Sequence, residues 1–215
     1  EAFHVSARYA VLVGFPMLVG LAVLAYPVMV VFAGVEYADA ASPLTIICLA
    51  LLATTLGIAI SPTLLTLERT KTASMVTLVA IFSNTIASYV TLAHLSMGMI
   101  GPAWARFLAA FLGFGVGAYV LKRILNVTFD WEALWKASVA SFLMAAAVTI
   151  SRTMESFVSQ LYLLPFYVVL GALVYFFSLV ALKAIKKQDV KLIEDYLPRG
   201  LKRLAVWLGR LAFVE

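Results

Sequence analysis

Four stretches of this chain, 10–35, 40–67, 72–105 and 156–182, contain no Asp, Glu, Lys or Arg, and His94 is the only His among them. A helix needs about 20 apolar residues to cross the hydrocarbon core of a bilayer. Each stretch is therefore long enough to be a span, and 72–105 accommodates a span, a turn and the start of the next. The hydrophobic fraction of 64% and mean hydropathy of +1.02 agree. Inside a bilayer every backbone polar group needs a partner within the protein, so consecutive spans of this length fold as helices rather than open strands. The ten-residue alternation of a membrane barrel is missing. The expectation is an all-α integral membrane protein with six transmembrane helices near 9–33, 43–67, 72–94, 100–121, 134–151 and 161–185. The fifth is the least regular, because Lys136 and Arg152 bracket a short uncharged run. Either both side chains snorkel or the helix is short.

The basic residues set an orientation. If the amino-terminal end, the 67–72 loop, the 122–136 loop and the tail share one side, then of 16 Lys and Arg only Arg106 and Arg152 fall elsewhere. By the positive-inside rule that side is cytoplasmic. Both ends are then inside, while the Glu36/Asp39 turn and the uncharged turn at 94–101 face outside. Topology accounts for the net charge of +5 without a nucleic-acid partner. The sequon at Asn126–Thr128 falls inside and reads as chance. The protein is expected in the cytoplasmic membrane, with membrane lipids as its surroundings.

Residues able to do covalent chemistry are scarce. All eleven acidic groups are expected in loops or the tail, none at membrane depth. His4 and His94 have no partner at metal-ligand spacing. Cys48 is alone in the second span, which leaves no disulfide framework or thiolate metal site and suits a small buried core residue. There is no glycine-rich phosphate loop and no acidic pair to hold Mg²⁺. No catalytic residue, no metal and no cofactor is expected, and the chain does not read as an enzyme.

Three features suit transport. Pro16 and Pro27 lie eleven residues apart on nearly the same face of the first span, with Gly14 and Gly20 nearby. Each proline removes a helical hydrogen bond. The pair is either a hinge, as in the broken helices of transporters, or an ordinary membrane feature whose freed carbonyls are satisfied by neighbours. Pro62 poses the same alternatives in the second span. In the third span Thr77, Asn84, Ser88 and Thr91 share a face. Such a stripe turns from lipid, toward either helix–helix hydrogen bonds or a wet substrate path. In the fourth span Arg106 stands roughly one and a half turns from the outer end, about 8 Å deep. It either snorkels to headgroups or faces a cavity where it can bind phosphate or pyrophosphate. Ala110, Gly113 and Gly117 follow on its face, with a spacing that permits close helix contact.

Beyond the last span, 183–215 carries excess positive charge. Val190, Ile193 and Leu197, then Leu201, Leu204, Leu208 and Leu211, recur at helical steps. This pattern predicts amphipathic helices lying on the anionic membrane surface.

Three blocks together carry a family resemblance. The first is Arg8-Tyr9, Phe15-Pro16 and Tyr26-Pro27 followed by Phe32-Ala33-Gly34-Val35-Glu36-Tyr37-Ala38-Asp39-Ala40. The second is Leu64-Leu65-Thr66-Leu67-Glu68-Arg69-Thr70-Lys71, with Glu68-Arg69 where Gly-Lys is usual. The third is Asn84 followed by Gly98-Met99-Ile100-Gly101-Pro102-Ala103. In order and spacing these resemble the later helices of the multidrug/oligosaccharidyl-lipid/polysaccharide exporter superfamily, in particular its polysaccharide and lipid-linked oligosaccharide flippases. The resemblance covers about half the chain. It implies that 1–125 holds the last four helices of a twelve-helix transporter core. It implies further that 126–187 adds two helices of a fourteen-helix member, and that 188–215 is a basic cytoplasmic tail. The chain, which begins at Glu1 rather than Met, would then be a carboxy-terminal part whose partners are the preceding helices of the same protein. The implied function is moving a polyprenyl-linked oligosaccharide, a polysaccharide precursor, across the cytoplasmic membrane by alternating access. The implied site is a cationic cavity for the pyrophosphate, for which Arg106 is the candidate. A small-molecule exporter of the same superfamily and a non-transporting scaffold for glycan assembly are the alternatives.

Overall fold

A computed structural model describes residues 2–125, 131–153 and 163–182. The described residues are helical throughout, without strands. The order is α1 (Ala2–Val23), α2 (Ala25–Ala33), a short 3-10 helix (Val35–Ala40), α3 (Ala41–Gly57), α4 (Ile60–Thr66), α5 (Thr70–Ala93), α6 (Ile100–Leu125), α7 (Trp131–Thr153) and α8 (Leu164–Ala181). Among them are 6 helical segments long and apolar enough to cross a membrane, so the chain is a multi-pass membrane protein. Many large apolar side chains stand exposed along α5, including Phe82 at 61% and Ile86 at 62%. In water such a face would be costly; hydrocarbon makes it neutral.

The first two expected spans are each broken. α1 ends at Val23, whose carbonyl is the one that Pro27, four residues on, has no N–H to meet, and α2 begins at Ala25. The second span breaks between Gly57 and Ile60, just before Pro62. At Gly34 the backbone turns with φ +103°, a conformation that costs a side-chain-bearing residue dearly, and the chain enters the 3-10 helix carrying Glu36 and Asp39. Tight turns at 67–69 and 94–99 join the remaining helices, with Glu68, Ser96 and Gly98 at positive φ.

The fifth span is a full-length helix. It begins at Trp131, earlier than expected, which places Glu132 in its first turn rather than in a loop. A carboxylate there complements the helix dipole. Lys136 donates to Glu132 at 2.6 Å, one turn apart, so its charge is met without a long excursion. The sequon at 126–128 and the amphipathic tail from residue 183 lie outside the described residues.

The helices pack in a row. α5 lies against α6, α6 against α3, α3 against α1, α1 against α7, and α7 against α8. Small residues set the spacing. A Cβ on Gly113 of α6 would come within 2.9 Å of Ala80 Cβ on α5, and one on Gly117 within 3.1 Å of Ile60 on α4. Bare backbone at these two positions is what lets the three helices close together, as the Gly113/Gly117 spacing predicts. Ile60, Leu64, Ala73 and Leu121 form the buried cluster beneath. At the other end of the row Ala140, Met144, Tyr175 and Leu179 pack together, with Leu12 and Val19 of α1 against them.

Candidate functional site

The break between α3 and α4 leaves space that α5 and α6 do not fill. The cavity there measures about 320 Å³. Its polar lining comes from four helices: Thr54 of α3, Ser61 of α4, Thr77 and Asn84 of α5, and Arg106 of α6. Three of the four residues expected on a substrate path, Thr77, Asn84 and Arg106, thus meet around one space. Ser88, a turn beyond Asn84, does not line it. The remainder of the wall is apolar or small, with Ala53, Gly57, Ala109, Ala110 and Gly113 giving the cavity its room.

The polar stripe on α5 does not bind neighbouring helices as an interhelical zipper would. Thr77 Oγ1 donates to the carbonyl of Ala73 at 3.1 Å, and Thr91 Oγ1 to that of Ser88 at 3.0 Å, both within α5 itself. Thr91 instead packs on Gly101, where an added Cβ would approach within 2.9 Å. Asn84 differs from both. Its Oδ1 is buried and has no hydrogen-bond partner among the described residues. An unmet amide oxygen in a low-dielectric setting costs about 1–3 kcal/mol.

Arg106 is exposed and makes no ion pair or hydrogen bond with the described residues. A guanidinium stays charged at any accessible pH and presents five donors in a planar fork suited to two oxygens of one phosphate. The cavity therefore offers one permanent cation, one acceptor without a donor, and hydroxyls at Thr54, Ser61 and Thr77. Its lining holds no carboxylate, His or Cys. Such a set can bind and orient an oxyanion bearing hydroxyl or amide donors. It provides neither a nucleophile with a base nor ligands for a metal, and no group of three potential metal ligands occurs among the described residues.

Thr54 and Ser61 were not singled out from the sequence. They sit seven residues apart, which is a shared helical face, and that spacing in an otherwise apolar span was the available signal. Pro16 and Pro27 lie away from this cavity, in α1 and α2. Pro62 lies beside it, next to Ser61.

No family model and no curated protein matches the sequence. Among solved structures, the fold is similar to that of the lipid II flippase MurJ in an inward closed conformation, with a TM-score of 0.72 at 20% identity. The match covers 82% of this chain and 37% of that flippase, so the chain spans a little over a third of its length.

Proposed function

We propose that this chain forms part of a flippase that moves a polyprenyl-linked oligosaccharide across the cytoplasmic membrane by alternating access. The observation that carries the proposal is Arg106, an unpaired guanidinium at membrane depth on a cavity beside the unsatisfied oxygen of Asn84. A charge in a membrane span is costly and marks a substrate or ion path more often than a structural site. Arg106 would grip the pyrophosphate, and Asn84 would accept from a hydroxyl or acetamido N–H of the first sugar. The fold likeness to a flippase of a lipid-linked substrate supports the same class. A lining with a cation and no carboxylate favours an anionic cargo over a cationic drug. In this reading both chain ends are cytoplasmic and the remaining wall of the path comes from further helices of the same protein.

The experiment uses the complete protein in proteoliposomes holding a fluorescent polyprenyl-pyrophosphate oligosaccharide, with flipping followed by quencher accessibility. Loss of charge-assisted hydrogen bonds worth about 1.5–3 kcal/mol lowers affinity tenfold or more. Arg106→Ala is expected to slow flipping by about tenfold or more, Arg106→Lys by less, and Arg123→Ala at the other end of α6 not at all. Equal rates for Arg106→Ala and the native protein would remove the proposal.

A further inference from the structure

Pro16 and Pro27 each withhold an N–H from the carbonyl four residues earlier, which are those of Leu12 and Val23. Both oxygens are met from outside the helix. Tyr175 of α8 donates its hydroxyl to Leu12 O at 2.7 Å. Arg152 of α7 donates from Nη1 to Val23 O. The two donors reach their targets across 163 and 129 residues of sequence, so neither is a local turn contact. Each stands on a packed base. Tyr175 belongs to the buried cluster with Ala140, Met144 and Leu179, and Val148, one turn before Arg152, is buried with Leu24 and Tyr167.

The third proline is different. Pro62 frees the carbonyl of Ile58, and no side chain of another helix donates to it among the described residues. The bonds nearby are local: Thr63 Oγ1 and the Thr63 N–H both donate to Ala59 O, at 2.6 and 3.2 Å. Ile58 itself is 58% exposed. The carbonyls freed by Pro16 and Pro27 are therefore met from α8 and α7, while no side chain among the described residues meets the one freed by Pro62 on the cavity.

We propose that Tyr175 and Arg152 are positioning residues through which α7 and α8 brace the α1–α2 segment at the two carbonyls its prolines free, holding it as one body with them. In hydrocarbon a freed carbonyl finds no water, so a helix with two such oxygens would otherwise sample several bent forms. The brace removes that freedom at Pro16 and Pro27 and leaves it at Pro62. This role of α7 and α8 stands on the bonds themselves and does not depend on what the cavity carries.

The test is a double-mutant cycle in the full-length protein, read as the melting temperature in detergent. Pro16→Ala restores an N–H that can bond Leu12 O, which makes the Tyr175 hydroxyl redundant there. Tyr175→Phe is expected to lower the midpoint by about 2–4 °C in the native background and by under about 1 °C in Pro16→Ala. The parallel cycle of Arg152→Met with Pro27→Ala gives the same answer if Pro16→Ala does not fold. A second readout, which a loss of stability alone would not move, is the distance between spin labels at Met17 of α1 and Phe142 of α7 in a background freed of Cys48 and of any other cysteine in the full-length protein. It is expected to be a single narrow population that broadens in Tyr175→Phe/Arg152→Met. Equal costs of Tyr175→Phe in both proline backgrounds, or a distance distribution that the double variant leaves unchanged, would overturn the brace.

Discussion

The Tyr175 hydroxyl sits 2.7 Å from the carbonyl oxygen of Leu12, the one oxygen in the middle of α1 that Pro16 leaves without a helical donor. A second pair, Arg152 and Val23, repeats the relationship at Pro27 one helix away. In each case a carbonyl freed by proline and a polar side chain on a neighbouring helix answer one another. A polar group in a membrane span is expensive alone and inexpensive when it meets a backbone acceptor. This explains how Arg152 can end a transmembrane helix and point inward rather than snorkel.

Arg152→Met is expected to destabilise the protein by about 1–3 kcal/mol, because it strands the Val23 carbonyl in a setting without water. Arg152→Lys keeps a donor of similar reach and should recover a part of the loss. Thermal or denaturant unfolding in a fixed detergent measures both. In contrast, Glu132→Gln breaks an ion pair whose carboxylate side is 66% exposed, and surface pairs at this spacing contribute about 0.5 kcal/mol or less. A large effect of Glu132→Gln would show that the start of α7 is buried against something else.

Two glycines of α6, one turn's half apart, should respond with opposite signs. Gly113→Ala puts a methyl group 2.9 Å from the Ala80 methyl, with no flexible end to move aside, and should cost about 1–3 kcal/mol by overpacking. Gly115→Ala meets nothing within 4 Å and should stabilise by about 0.5–1 kcal/mol through helix propensity. Comparing the two melting midpoints checks the packing of α6 on α5 independently of any transport assay.

Asn84→Leu should raise stability while lowering flipping. The substitution removes a buried, unsatisfied amide oxygen from the cavity wall, which relieves a penalty of about 1–3 kcal/mol. The same oxygen is the acceptor proposed for the cargo, so the gain in melting temperature should come with a slower rate in the proteoliposome assay. A variant both more stable and fully active would show that Asn84 has no part in cargo binding.

Gly34→Ala tests the turn between α2 and the 3-10 helix. There is open space around the position, so only the backbone, at φ +103°, opposes a side chain. Strain of this kind costs about 1–3 kcal/mol, and the melting midpoint should fall accordingly. An unchanged midpoint would mean that the turn relaxes to another conformation.

The number and type of spans were legible in the residues because a bilayer leaves no alternative: long uncharged apolar runs must be helices that bond internally. Most of the site was legible for the related reason that polar groups at membrane depth are costly. Asn84, Thr77 and Arg106 stood out by that cost alone, on two different spans, and the structure brings them to one cavity. Ser88 shares the face of Asn84 yet misses the cavity, since a stripe gives direction around a helix but not the height at which the neighbouring helices part. Thr54 and Ser61 join the lining only because α3 and α4 separate at Gly57.

What the chain determined by itself was local: where hydrocarbon is crossed, where prolines withhold an N–H, and which side chains are too polar for lipid. What only the tertiary structure decided was partnership. Nothing along the sequence relates Leu12 to Tyr175 or Val23 to Arg152, because a freed carbonyl accepts from any donor that the packing brings within about 3 Å. Likewise Arg106 could equally have met headgroups, a carboxylate or a cavity until α3, α4, α5 and α6 were placed around it. Hydrophobic patterning sets the helices in the membrane without regard to their order, while close contact of small residues such as Gly113 with Ala80 chooses which faces meet and so which polar groups find one another.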